Sequence, residues 1–417
     1  MELNRVVITG LGSLTPLGNN ISELWNGLSN GVSGADKITR FDATQFKTQI
    51  ACEVKNFNQA DYFDRKEARK YDLFSMYAMI GADQAIVDSA LDLEKVNKEN
   101  VGVIWASGIG GITAFQKEVG DFYKGDGRPR FNPFFIPKMI VDIAAGHISM
   151  KHGFMGLNFG TISACASSAN AIADAANYIR LGKIDVVVTG GSEASIIESG
   201  IGGFSSMQAI SSRNDDPKTA SRPFDKDRDG FVLGEGSGAM IIESLEHAKA
   251  RGAKIYAEIV GCGLSADAYH LTAPHPEGNG AKLAMRKALK EANLELTDVD
   301  HINTHGTSTP VGDIAEIKAI DSLFGEHAAK LLINSTKSMT GHLLGAAGVI
   351  ESIAAVLAMN NNLVPPTINH FTDDPEIPSN PNIIYNKAQK ADLNVVMSNA
   401  FGFGGHNTSL VFKKYSE

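Results

Sequence analysis

Short apolar, β-branched runs alternate along this chain with alanine-rich stretches of helical period, and that alternation leaves few folds open to it. VGVIWAS (101–107), IDVVVTG (184–190), IYAEIVG (255–261), VDHINTH (299–305), LLINS (331–335) and NVVMSNA (394–400) have the near-continuous hydrophobicity of strands buried on both faces. Residues 75–91, 166–181 and 348–359 carry helical patterns. Such alternation predicts an α/β fold in which helices cover a sheet on both faces. MELNRVVITGLGSLTP reads as one more short strand and turn, without the basic start and apolar stretch of a secretion signal. No run is read as long enough to span a membrane, so the expectation is a cytoplasmic protein with no membrane contact.

At 417 residues the chain can bury a large core as two ordinary domains or as one duplicated unit. A faint internal echo points to duplication. GTISAC passes from a strand into an alanine-rich helix ending near Gly182, and INSTKSMTGH does the same toward a helix ending near Met359. Each places a reactive side chain, Cys165 or His342, near the first turn of a helix, where two facing halves would bring them together. The join falls near Ala250–Lys254, giving an N-terminal half, 1–252, and a C-terminal half, 253–417.

Composition narrows the function. A net charge of −9 lacks the broad basic surface that nucleic-acid binding needs. Cys52, Cys165 and Cys262 are far apart and odd in number, which argues against a disulfide framework or a paired-cysteine metal site. The 42 glycines cluster at strand-like ends, where tight turns near a site are expected.

Local context then picks out candidates. The strand NFGTISA delivers Cys165 to a helix start, whose unpaired amides and dipole favour a thiolate and can bind an oxyanion. Its neighbours Ala164, Ala166, Ser167 and Ser168 are small enough to admit a substrate carbon. A buried structural cysteine suits the same context equally well. His305 ends an apolar strand and is followed by Gly306 and a hydroxyl-rich loop, with Thr307 and Thr309 placed to hydrogen-bond an amide-bearing arm. His342, read as lying at a helix N-terminus, is expected to stay neutral and donate to an enolate or thioester oxygen. Lys337 precedes it by five residues, and Glu351, a carboxylate in the apolar helix GVIESIAAVL, would pair with the Lys337 region. In AFGFGGHN (400–407) the turn either brings a backbone N–H to the site behind Phe401 or Phe403, or merely joins two strands.

Three patterns are set aside. GLSNG (27–31) matches the serine elbow but follows a helix rather than a strand. SGIGGI (107–112) lacks the full dinucleotide-loop spacing and a downstream acid. His147 and His152, five apart, would not share a helix face, and no metal is expected.

Taken together, GTISACASSANA, INTHGTSTPVGD, NSTKSMTGHLLGAAG and SNAFGFGGHN resemble, in this order, the β-ketoacyl-[acyl carrier protein] synthases of the thiolase superfamily. SSRNDDPKTASRPFDKDRDGFVLGEG and EHAKARGAKIYAEIVG extend the resemblance over nearly the whole chain, and RGAKIYAEIVGCGLSADAYHLT is closer to the type II elongation enzymes than to type I. The resemblance implies a thiolase-like fold of two duplicated halves in five αβαβα layers, working as a homodimer. It implies that Cys165 takes an acyl group from an acyl carrier protein, and that His305 and His342 assist malonyl decarboxylation and stabilise the enolate. The enolate attacks the Cys165 thioester and yields a 3-oxoacyl chain two carbons longer. The amides of Cys165 and Phe403 match the oxyanion hole, Phe403 the gate, Lys337 and Glu351 the supporting residues, and Ile109 a position lining the acyl pocket. No cofactor of its own is implied, because the phosphopantetheine belongs to the carrier. An acidic carrier would dock on local positive charge, supplied by Arg65, Lys66, Arg69 and Lys70 with Arg128 and Arg130. His406 stands where a small Thr is common and is assigned no catalytic part.

Rival readings stay open. A thiolase needs a second cysteine, absent from AFGFGGHN, and a non-catalytic chain-length subunit would lack the nucleophile. A polyketide ketosynthase shares Cys165, His305 and His342 and differs in its carrier.

Overall fold

The computed structural model describes residues 3–416. Ten strands form its main sheet: β1 (Val6–Leu14), β2 (Val101–Ala106), β3 (Asn158–Thr161), β4 (Val186–Glu193), β5 (Gly236–Ser244), β6 (Ala257–Ala266), β7 (His301–Asn303), β8 (Leu332–Asn334), β9 (Val395–Gly402) and β10 (His406–Lys413). Their order is β8-β7-β9-β10-β6-β1-β5-β4-β2-β3. Read outward from the centre, each side repeats one topology. β1 pairs antiparallel with β5 and β5 with β4, while β4–β2 and β2–β3 are parallel. On the other side β6–β10 and β10–β9 are antiparallel, and β9–β7 and β7–β8 are parallel. The two sets join through Val7 opposite Glu258 and Ile8 opposite Ala257. The echo in the sequence is therefore a duplicated five-stranded unit.

The pleat explains why these strands read as unbroken apolar runs. Successive side chains point to opposite faces, and here both faces are covered. In β4, Val186 and Val188 enter one core cluster and Val187 another. In β2, Val103 and Trp105 face away from Ile104 and Ala106. In β9, Val395 and Met397 oppose Val396. The outer cores are closed by helices α1 (Leu73–Asp88) and α2 (Ile143–His152) on the N-terminal unit, and by α4 (Asn279–Ala292) and α5 (Pro310–Phe324) on the C-terminal unit. Between the two five-stranded halves of the sheet lie α3 (Ser167–Arg180) and α6 (Ala347–Asn361), completing five layers.

The segment Leu344–Asn361, which includes α6, is long and apolar enough by itself to cross a membrane, a correction to the reading that no run is. Its apolarity has another cause, since 89% of that window is buried inside the protein.

Where α3 and α6 meet, Gly348 lies so close to Ala169 that a β-carbon on it would sit 2.8 Å from the Ala169 nitrogen. The Ser168 hydroxyl accepts the Val349 N–H at 2.9 Å. This close approach of two helix starts, one from each half, sets the site.

Candidate active site

Cys165 lies between β3 and α3, in the 3-10 turn Ala164–Ala166. Ala164 has φ 52°, a strained value for a residue with a β-carbon. The turn is held by Ser167, whose hydroxyl donates to the Ala164 carbonyl at 2.6 Å and accepts the Ser163 N–H at 2.8 Å. The other half repeats the device before α6 in the turn Leu344–Ala346, with Leu344 at φ 47°.

His342 is not in the first turn of a helix, which corrects the sequence-based expectation. The one-turn helix Lys337–Thr340 ends at Gly341 (φ 69°), and α6 begins only at Ala347. Between them His342 is held like a strand residue: its N–H donates to Val232 O at 2.8 Å and its carbonyl accepts from Gly234 at 2.9 Å. A β-carbon on Gly341 would fall 2.7 Å from Cys52 Sγ, so this reversal requires glycine.

The two halves converge on one point. His342 Nε2 lies 3.0 Å from Cys165 Sγ. The His305 ring stands at 85° to His342 with centroids 5.3 Å apart, and the three donor atoms all lie within 4.8 Å of one another. His305 follows β7, where its N–H and that of Gly306 donate to the Glu316 carboxylate on α5 at 2.9 and 2.8 Å. Asn399 on β9 donates to the same carboxylate at 3.2 Å. Neither Glu316 nor Asn399 was singled out from sequence. Lys337 and Glu351 form the expected ion pair, both about fully buried, outside the cavity lining.

Electrostatics differ from the simple dipole picture. Burial pushes the Cys165 thiol up to about 12, against the Lys337 charge and the Phe403 backbone N–H, both of which favour the thiolate. Burial thus opposes the thiolate that a helix start favours. His342 is held well below the usual histidine range by burial and then by Lys337. The same causes, with His342 added, hold His305 down. Both imidazoles are held neutral, as expected for His342, but through burial and a nearby ammonium rather than a helix terminus. Burial also raises the Glu316 and Glu351 carboxyls to about 7, opposed by the two N–H donors and by Lys337 respectively.

Cys165, His305 and His342 line a cavity of about 300 Å³ with Thr307, Thr309, Phe401 and Phe403. The Thr307 and Thr309 hydroxyls are 3.0 Å apart, and Phe401 is tilted against His305. Ile109 is outside that lining and packs, half-buried, on the apolar cluster that contains Cys165, Ile196, Ile201 and Phe231. Gly402 explains how the β9–β10 turn reaches the cysteine: a β-carbon there would meet Ser163 O at 2.6 Å and Cys165 N at 3.0 Å. The His406 ring folds over Gly404, 3.0 Å from where a β-carbon would be.

The basic residues stand apart from this cavity. Arg65, Lys66 and Arg69 are exposed, while Lys70 pairs with Glu67 at 2.5 Å and Arg128 and Arg130 face Asp126 at 3.7 and 3.3 Å. The rejected patterns resolve simply. Ser29 ends a helix and donates to Asn26 O, and His147 packs on Tyr71 while His152 contacts Asp83.

Comparison with known proteins accords with this arrangement. Residues 3–248 match the family "Beta-ketoacyl synthase, N-terminal domain" and residues 256–371 "Beta-ketoacyl synthase, C-terminal domain". The chain is 49% identical to the 3-oxoacyl-[acyl-carrier-protein] synthase 2 of Staphylococcus aureus (strain COL), over 99% of this chain and 98% of that one. Among solved structures, a beta-ketoacyl synthase from Burkholderia phymatum STM815 superposes with a TM-score of 0.92 at 35% identity, covering 99% and 100% of the two chains. A ketosynthase of a type II polyketide system, solved with its acyl-carrier protein, gives 0.91 at 33% identity over 99% and 100%. With a duplicated thiolase-like fold, a cysteine–histidine–histidine centre and matches across both halves, the chain belongs to the beta-ketoacyl synthase family.

Proposed function

We propose that this protein elongates fatty acyl chains by decarboxylative condensation of an acyl group on Cys165 with malonyl-[acyl carrier protein]. The observation that carries the reading is a thiol and two neutral imidazoles within 4.8 Å of one another in a cavity reached from both halves of the fold. In the first step Cys165 Sγ attacks the thioester of an acyl carrier. Its proton passes through His342 Nε2 to the departing phosphopantetheine sulfur, and acyl-Cys165 remains. The amides of Cys165 and Phe403 stabilise the tetrahedral oxyanion; a donor of this kind contributes about 10²–10³ in rate.

Malonyl carrier then enters the emptied cavity. Once Cys165 is acylated, His342 takes the tautomer protonated at Nε2. Neutral His305 and His342 then each donate one N–H to the malonyl thioester oxygen, so the electron pair released with CO₂ is held as an enolate. The enolate carbon attacks the acyl-Cys165 carbonyl and expels the sulfur, which takes up a proton through His342. Loss of CO₂ drives the sequence without a strong base. Lys337 keeps the imidazoles deprotonated, Glu351 balances Lys337, and Glu316 fixes the His305 loop. Thr307 and Thr309 are placed for the pantetheine amides, with Phe401 and Phe403 shielding the centre. Ile109 bounds the acyl chain. The protein brings no cofactor of its own to this scheme.

The acyl carrier docks on Arg65, Lys66 and Arg69, which lack ion-pair partners among the described residues, with Lys70, Arg128 and Arg130 beside them. The functional halves are 1–252, with the nucleophile, and 253–417, with both histidines. A homodimer forms through the edge of β3 and the adjoining Ile162, which is 60% exposed. Purified protein given acyl and malonyl carriers releases CO₂ and 3-oxoacyl carrier on this reading; no condensation at any acyl length overturns it. Fatty-acid rather than polyketide use is supported by the higher identity to the fatty-acid relative, and activity only with a pathway-dedicated carrier would reverse that choice.

A further inference from the structure

Glu193, at the end of β4, is fully buried, yet its partners are hydrogen-bond donors rather than a cation among the described residues. Its Oε1 accepts from the Ser107 hydroxyl at 3.0 Å and the Ile109 N–H at 3.2 Å, with the Ser195 hydroxyl at 3.4 Å. Its Oε2 accepts from the Gly108 N–H at 2.7 Å and the Gly345 N–H at 3.0 Å. Ser107, Gly108 and Ile109 form one turn, tightened by the Gly110 N–H on Ser107 Oγ at 3.0 Å. Gly345 belongs to the other half of the fold, three residues after His342. The two turns touch through bare backbone: a β-carbon on Gly345 would lie 2.1 Å from the Gly108 nitrogen.

A buried carboxylate without a counter-charge is costly unless donors surround it, and a donor array of this kind suits an acceptor-only group. The arrangement does a job that apolar packing could not. It bolts the turn at the edge of the apolar cluster around Cys165 to the turn that follows His342.

Resting on the condensing function proposed above, we infer that Glu193 is a specificity-determining and positioning residue: it clamps the Ile109 turn and so limits acyl-chain length, while its second oxygen fixes the turn behind His342. Oε1 serves the Ile109 turn, while Oε2 links that turn, through Gly108, to Gly345, so two substitutions probe the two links. In Glu193→Gln the amide oxygen can still accept from Gly108 and Gly345, and the amide nitrogen faces Ser107 Oγ and the Ile109 N–H, which loses its acceptor. In Glu193→Asp the side chain is one methylene short and cannot span both turns.

The test measures condensation with hexanoyl and tetradecanoyl carriers, alkylation of Cys165 by iodoacetamide across pH, and thermal unfolding. For Glu193→Gln the tetradecanoyl-to-hexanoyl ratio of kcat/KM rises by at least about tenfold, the effect of losing one hydrogen bond to a charged group. Its alkylation–pH profile moves to lower pH, because the Glu193 charge that helps hold the Cys165 thiol up is gone. For Glu193→Asp the chain-length ratio and the alkylation profile both move. A parallel loss at both chain lengths, or an unchanged ratio in a folded Glu193→Gln protein, overturns the inference. Wild-type enzyme in the same assay keeps the two ideas apart, since its own failure to condense would count against the proposed reaction and not against the clamp.

Discussion

Gly402→Ala perturbs the centre without touching any reacting side chain. Gly402 does not have a positive φ, so alanine fits its backbone, and the effect is purely one of space. The new methyl would stand 2.6 Å from Ser163 O, 3.0 Å from Cys165 N and 3.2 Å from Ala164 Cβ. Two of these are backbone atoms of the strained turn that carries the nucleophile, and neither can rotate away. Reaching ordinary contact means parting the turn from β9 by about 0.8 Å at Ser163 O. The Cys165 and Phe403 amides lie on opposite sides of that gap, so the oxyanion site opens by a comparable amount. A displacement approaching 1 Å costs about 10² in rate, and overpacking of this kind destabilises by about 1–3 kcal/mol. The assay is single-turnover acylation of Cys165 by an acyl carrier, run beside thermal unfolding. We expect acylation to fall by about 10² while most of the protein remains folded at 25 °C. Wild-type acylation by Gly402→Ala would refute the claim that this glycine sets the spacing of the two amides.

Three further outcomes are expected. Glu316→Gln turns an amide N–H toward a backbone N–H of His305 or Gly306, which should lower stability by about 1–3 kcal/mol by denaturant unfolding, with a fall in kcat larger than any rise in KM. Lys337→Met leaves the Glu351 carboxylate buried and unpaired, and calorimetry should register a loss of about 3–5 kcal/mol. Because His305 and His342 are both held well below 6.5, malonyl decarboxylation should persist as pH falls through that value, with its acid limb lower; Lys337→Met removes a charge that holds both rings down, so its limb should move up. A limb at 6.5 in the wild type, or an unmoved limb in Lys337→Met, would contradict the electrostatics.

Much of the fold was legible because central strands buried on both faces leave unbroken β-branched runs, and all six such runs contain strands of the main sheet. β5 and β10 were passed over: β5 opens on GSGA and β10 on HNTS, which lack either period at their starts. The duplication was visible only as an echo, since the shared feature is the strand order and the left-handed residue before each central helix, and Ala164 and Leu344 share no chemistry. Cys165, His305, His342 and the Lys337–Glu351 pair were legible because each interrupts its surroundings. Glu316 and Glu193 were not, because their partners are backbone N–H groups of other segments, and a lone acid reads as solvated. The sign that could have revealed Glu193 was the one used for Glu351, a carboxylate at the end of an otherwise apolar element. His342 was misplaced relative to its helix because the reversal at Gly341 depends on Cys52, nearly 300 residues away in sequence.

The most direct test is the fate of the Cys165 sulfur. Protein incubated with an acyl carrier, digested and weighed by mass spectrometry should carry the acyl mass on the peptide containing Cys165. A chase with malonyl carrier should discharge it as a 3-oxoacyl carrier two carbons longer, and Cys165→Ala should show neither step. An acyl adduct elsewhere, or extended product formed by Cys165→Ala at the wild-type rate, would contradict the assignment of Cys165 as the nucleophile.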